Sequence, residues 1–254
     1  MPDDLKQIAK QMIKSKYVIA MTGAGISVES GIPDFRSPGG LWSRFDPFEY
    51  AHIDAFKRDP AKVWKMLLEI DEVLNQAKPN RAHYALAKLE AAGILKAIIT
   101  QNIDNMHQRA GSKNVIEFHG NAETLTCTKC KKKFTREEIT MESIPPLCEC
   151  KGVIRPDVVF FGETIPAHAT RMAGKEVEKC AMILVIGTSA DVAPASRLPI
   201  KAKEGGAIIV EINLRETRLI TPIADFRITD KAGDGLMKLV NEVDEILNTH
   251  DSIY

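Results

Sequence analysis

Short apolar runs alternate with amphipathic stretches along this chain. Leu5, Ile8, Ala9, Met12 and Ile13 recur at helical spacing and predict a first helix from Asp4 to Ser15. The apolar run from Tyr17 to Met21 follows as a strand and ends in Thr22-Gly23-Ala24-Gly25. Further runs at Ala97–Ile99, Val115–Phe118, Val158–Phe161, Ile183–Ile186 and Ile208–Ile212 read as buried parallel strands. Helical stretches at His83–Ala92, His168–Lys179 and Ser196–Glu204 separate most of them, and Leu236, Leu239, Val240, Val243 and Leu247 mark a closing helix. Strands alternating with helices predict an α/β fold, a doubly wound parallel sheet of Rossmann-like type.

Two stretches break the alternation. Residues 36–80 hold Pro and Gly turns, then a helix with Val63, Met66, Leu67, Ile70, Val73 and Leu74 on one face. Residues 121–155 hold Cys127-x2-Cys130 and Cys148-x-Cys150. Four thiolates in two close pairs match a structural zinc ribbon with one ion and no open ligand position. The second pair is tighter than the usual two-residue knuckle. The expected division is a discontinuous Rossmann-like domain at 1–35, 81–120 and 156–254. A second, smaller domain is expected at 36–80 and 121–155, made of the helical insertion and the zinc ribbon.

Charge narrows the classes further. The 254 residues carry 34 basic and 34 acidic side chains, so nothing draws the whole molecule to nucleic acid or an anionic membrane. Lys129, Lys131, Lys132, Lys133 and Arg136 decorate the cysteine module, but Glu137, Glu138, Glu142 and Glu149 are interspersed. That pattern fits a solvated face better than a nucleic-acid patch. Acids at Asp3 and Asp4, no apolar leader and clustered cysteines lead us to expect a cytoplasmic protein without a membrane span. Cys180 stands alone before a strand and reads as a core residue.

A strand that ends in Gly-x-Gly at a helix start can bring backbone N–H groups to a pyrophosphate. Here the glycine after Gly23 and Gly25 is Gly31, so the dehydrogenase spacing fails. Taken alone, the loop fits a glycine-rich turn as well as a dinucleotide cradle. Likewise a lone His119 after a strand fits a structural histidine as well as a base, and Gly187-Thr188-Ser189 fits a helix-capping turn.

The longer string, GAGISVESGIPDFRSPGGLW at 23–42, closely resembles a signature of the sirtuin family of NAD-dependent protein deacylases. Thr100-Gln101-Asn102-Ile103-Asp104, Phe118-His119-Gly120, Pro156–Glu163, Gly187-Thr188-Ser189 and Ile212-Asn213 follow in that family's order. The resemblance spans roughly residues 17 to 232, most of the chain.

The resemblance implies that NAD is consumed as a co-substrate. The acyl-lysine oxygen attacks C1′ of the nicotinamide ribose, nicotinamide leaves, and the acyl group ends on ADP-ribose. It implies that Gly23, Ala24, Gly25 and Ser27 cradle NAD and that Asp34, Phe35 and Arg36 lie on a loop closing over it. Ile103 and Asp104 would line the carboxamide pocket, while Gln101 and Asn102 hold ribose hydroxyls and a water. Gly187, Thr188, Ser189, Asn213 and Ala232 would take the adenosine half. His119, aided by Asn102, would be the catalytic pair, with His119 as general base. His107 is read as structural. Acetylated protein substrates would add as an extended strand against Val159, Phe160, Phe161, Gly162 and Glu163 on one side and Val192 on the other. Sirtuins that take succinyl or malonyl groups carry a Tyr and an Arg on the small-domain helix, where this chain has Leu67 and Ile70. Neutral acyl groups are therefore expected. Two other readings use the same residues: a protein ADP-ribosyltransferase, and a non-catalytic zinc-ribbon module that binds NAD.

Overall fold

The computed structural model describes residues 2–35 and 39–251. Helix α1 (Pro2–Lys14) leads into β1 (Val18–Thr22), and a 3-10 segment, Ala24–Ser30, follows. Three helices come next: α2 (Pro47–Tyr50), α3 (Ile53–Arg58) and α4 (Pro60–Gln76). Then come α5 (Arg81–Ala91), β2 (Leu95–Thr100), α6 (Met106–Arg109) and β3 (Val115–Glu117). β4 (Gly120–Cys127), β5 (Lys133–Thr135) and β6 (Ile154–Val158) form a small sheet. The chain closes through α7 (Ala167–Lys179), β7 (Met182–Ile186), α8 (Arg197–Glu204), β8 (Ile208–Ile212), β9 (Phe226–Ile228) and α9 (Ala232–Asp251).

Among the described residues the main sheet has six parallel strands in the order β3-β2-β1-β7-β8-β9. Counted along the chain this is 3-2-1-4-5-6, the Rossmann order. β1 and β7 are buried at every residue, because apolar layers cover both faces. One layer joins Ile8, Met12, Leu86, Leu89, Leu236 and Val240, from α1, α5 and α9, to the sheet. The other joins Ala173 and Val177 of α7 and Leu198 and Ala202 of α8 to the opposite face. The order reverses between β1 and β7, so the loops after these two strands diverge and leave a crevice at their carboxyl ends.

The second sheet is antiparallel, in the order β5-β4-β6. Its buried face shares one apolar cluster with the helical insertion, where Phe56, Val63, Trp64 and Leu67 meet Leu125, Ile154, Val158 and Phe160. The Trp64 indole N–H donates to the Ile154 carbonyl at 2.9 Å and fastens α4 to β6.

Two features depart from expectation. The run Val158–Phe161 is not a strand of the parallel sheet. Val158 ends β6 in the small sheet, and Phe161 continues as an isolated bridge to His52. β6 buries alternate residues, but its half-buried positions hold Arg155 and Asp157 just upstream of the apolar run, so the alternation does not show within it. Strand β9 has no apolar run, since Arg227 occupies its centre, and only the neighbouring β8 defines it.

Candidate active site

The crevice between β1 and β7 is built by backbone. The Gly23 N–H donates to the Ile186 carbonyl at 3.1 Å, and the Gly25 N–H to the Gly187 carbonyl at 2.8 Å. A Cβ on Gly25 would lie 2.7 Å from the Gly187 oxygen, and Gly187 itself has φ +58°. No side chain fits at this approach, so two loops meet at peptide distance and leave their outer N–H edges to a ligand. The helix expected after Gly25 is a 3-10 turn, ended by Gly31 in the left-handed region. Ala24 is half-buried beside it.

Behind the crevice lies a buried polar chamber. The Ser27 hydroxyl donates to Asp104 Oδ2 at 2.6 Å, and Asn102 Nδ2 donates to Ser27 Oγ at 3.1 Å and to the Gly23 carbonyl at 3.2 Å. Asp104 Oδ1 accepts the Met106 N–H at 3.1 Å, and the backbone turns there through Asn105 at φ +58°. Gln101 reaches Thr188 Oγ1 at 2.9 Å, while Asn213 Nδ2 donates to the Thr188 carbonyl at 3.0 Å. The ends of β1, β2, β7 and β8 are thus tied through the side chains of Ser27, Asn102, Asp104, Gln101, Thr188 and Asn213. Ile103 is half-buried beside Asp104, Ser189 is exposed, and Ala232 is buried at the start of α9.

His119 stands after β3 and is hydrogen-bonded to Gln101, the residue that follows β2. Its Nδ1 lies 3.0 Å from the Gln101 carbonyl, and its own carbonyl accepts the Val159 N–H at 2.9 Å. A carbonyl can only accept, so Nδ1 carries the proton and Nε2 keeps its lone pair. Burial lowers the imidazole below its usual range, and the bond to Gln101 offsets this only in part. The neutral ring with a free Nε2 is the form a general base requires.

The segment 159–163 leaves β6 next to His119. Val159 is half-buried, Phe160 is buried and Phe161 is exposed. The Phe161 N–H and carbonyl are taken by Ala51 and Ile53. Gly162 has φ +83° and packs against His52. Val192 lies half-buried across the crevice beyond β7. The loop after the 3-10 turn folds back on itself, with Leu41 N–H to the Asp34 carbonyl at 2.9 Å and Trp42 N–H to the Phe35 carbonyl at 3.0 Å. Trp42 bridges the Phe35 and Phe161 rings at 5.1 and 6.2 Å. Arg36 lies outside the described residues.

At the far end of the small sheet, the Cys127–Cys150 and Cys130–Cys148 sulfurs are 3.5 and 3.7 Å apart, and all four lie within 4.8 Å of one another. A tetrahedral zinc with bonds of ~2.3 Å holds its sulfurs about 3.8 Å apart, so the cluster fits a closed structural site.

A model described as the Sir2 family matches residues 23–194. The chain belongs to the Sir2 family. It is 47% identical to NAD-dependent protein deacylase 2 of Pyrobaculum aerophilum, over 97% of this chain and 98% of that protein. A solved Sir2 homologue in complex with NAD is 46% identical, with TM-score 0.88 over 95% of this chain and 94% of that one. A Sir2–p53 peptide–NAD+ structure is 40% identical, with TM-score 0.86 over 94% and 98% of the two chains.

This Sir2-family chain also contains His83, which the motifs did not single out, beside His107, which reads as structural from the sequence. His83 on α5 and His107 on α6 stack edge to face at 5.0 Å behind Ser27 and Asp104. Burial holds His83 down at about 4, although Asp104 pulls the other way, and burial together with His83 holds His107 at about 3. Thr22 links His107 Nε2 and Thr100 Oγ1, each at 2.9 Å. His83 sits at the third position of a helix that Asn80 caps, a signal visible in the sequence as capping but not as chemistry. Arg155 precedes the motif that begins at Pro156, and nothing in its sequence context distinguishes it.

Among the described residues, no helix is long and apolar enough to cross a membrane.

Proposed function

We propose that this chain is an NAD-dependent protein lysine deacylase. It moves an acetyl or longer neutral acyl group from lysine to ADP-ribose, with one water consumed and free lysine, nicotinamide and the O-acyl-ADP-ribose released. NAD supplies the electrophilic ribose carbon that nicotinamide leaves and the hydroxyl that accepts the acyl group. The glycine cradle at Gly23, Gly25 and Gly187 fits a diphosphate approaching backbone N–H groups. Asp104 offers its carboxylate to a carboxamide, and Ser27 and the Met106 N–H hold it in register. Asn102, fixed by Ser27 and Gly23, orients the ribose, with Gln101 at its side. Phe35 and Trp42 exclude water from the reacting carbon. His119 Nε2 takes the proton of the ribose hydroxyl.

The observation that carries this reading is the free Nε2 of a half-buried, neutral His119, one strand end from the Asn102–Ser27–Asp104 chain. In the same reading the acylated protein adds as a strand between 159–163 and the segment around Val192. Leu67 and Ile70 face the apolar cluster of the small module and offer no cation to an acidic acyl group. The domain division is 1–35, 81–120 and 156–254 against 36–80 and 121–155, and one zinc ion serves structure alone. Five cysteines free of disulfides support a cytoplasmic location.

The test is a reaction of the purified protein with NAD and an acetyl-lysine peptide, read by nicotinamide release and peptide mass. Loss of one acetyl unit per nicotinamide is expected. A peptide that gains ADP-ribose would make it a transferase of that group, and bound NAD without nicotinamide release would make it a binding module.

A further inference from the structure

The segment 158–163 makes a tight reversal, and its shape depends on one side chain outside it. Arg155 Nη2 donates to the Val158 carbonyl at 2.6 Å, and Nε donates to the Pro156 carbonyl at 3.3 Å. The same guanidinium forks onto Glu163, with Nη1 to Oε1 at 2.7 Å and Nη2 to Oε2 at 2.8 Å. Glu163 Oε2 also accepts the Phe160 N–H at 3.0 Å. The Phe160 and Phe56 rings lie 4.7 and 5.6 Å from the guanidinium carbon.

Both ends of the reversal, the Val158 carbonyl and the Glu163 carboxylate, therefore converge on one planar fork. The side chains are only 17% and 26% exposed, so the pair is shielded more than a surface ion pair. Burial alone would push the Glu163 carboxyl up, but the bonds from Arg155 and from the Phe160 N–H outweigh it and keep it ionised below the usual range. None of these partners belongs to the glycine cradle or the polar chamber.

We infer that Arg155 is a positioning residue for the acyl-peptide segment, setting the affinity for the protein substrate without touching the NAD site. This rests on the reading that 159–163 receives the peptide. A segment that offers main-chain groups to a strand binds well only if it is already in the paired shape, and Arg155 supplies that order beforehand. Lysine cannot reproduce the effect, because a point charge cannot hold a carbonyl and two carboxylate oxygens in one plane.

The experiment uses the full chain with its zinc content measured, and the variants R155Q, R155K and E163Q. Each is assayed for KM toward an acetyl-lysine peptide and toward NAD. For R155Q the peptide KM should rise about tenfold while the NAD KM stays within about twofold, the signature of lost ground-state binding at one substrate only. R155K should recover only part of the loss, and E163Q, which keeps the shape and removes the charge, should raise the peptide KM about threefold. Equal changes in both KM values, or a lowered melting temperature with no change in peptide KM, would overturn the inference. Should R155Q fail to fold, E163Q decides the question by the same split. Hydrogen exchange separates the underlying reading. Peptide-dependent protection of amides 159–163 with an unchanged peptide KM in R155Q sinks the inference alone, whereas no protection sinks the reading beneath it.

Discussion

In the parallel sheet, β1 and β7 are buried at every residue between two apolar layers. In the antiparallel sheet, β6 buries alternate residues, β5 is largely exposed, and a single apolar cluster lies on one side. The first sheet is held by apolar burial, so its strand ends can be rigid enough for two glycine loops to meet at peptide distance. The second has half the cover and relies on four thiolates and an Arg–Glu fork. Binding of the dinucleotide should therefore depend on shape, and the small module on metal and charge.

Removal of a zinc ligand should separate the two regions most. Cys148→Ser, or a strong chelator, should cost the module metal-binding free energy on the order of 10 kcal/mol. Hydrogen exchange should then show lost protection in β4 and β6 with β1 and β7 still protected. Simultaneous loss in both sheets would break the comparison.

Acidification should act on the large sheet instead. His83 and His107 are buried and neutral, held at about 4 and about 3, whereas in the unfolded chain they take protons near 6.5. Their contribution is intact above about pH 6.5. It should shrink as pH falls toward 4, by up to about 1.4 kcal/mol per pH unit for each histidine. Urea unfolding at pH values around 7.5 and 5 measures this, and a flat midpoint would refute it.

At the site itself, His119→Ala should lower kcat by at least ~10²-fold with NAD affinity retained. The acid limb of the unmodified enzyme should lie below pH 6.5, since burial lowers the imidazole. A pH–rate profile and calorimetric NAD binding test both. Gly25→Ala would bring a methyl 2.7 Å from the Gly187 oxygen. It should weaken NAD binding and cost about 1–3 kcal/mol of stability through overpacking. A variant that binds NAD normally would show that the cradle tolerates bulk.

Residue order along this chain was enough to reveal most of the architecture. The runs at Val18–Met21 and Ile183–Ile186 carry no polar residue on either face, and only a sheet covered on both sides can hide them. The cysteine pairs implied a metal by spacing, because two short knuckles suffice to gather four sulfurs. Other features depend on contacts between segments distant in sequence. Val158–Phe161 looks like any buried strand, yet only Val158 pairs with β4 and joins the small sheet, while Phe161 bridges His52. β9 exists because β8 offers it an edge. The state of His119 is a tertiary property as well: Gln101, 18 residues away, sets its tautomer, and the surrounding burial sets its basicity. Local periodicity and spacing record what each segment must hide or ligate. Which backbone groups meet, and which protons they fix, is decided when the chain closes on itself.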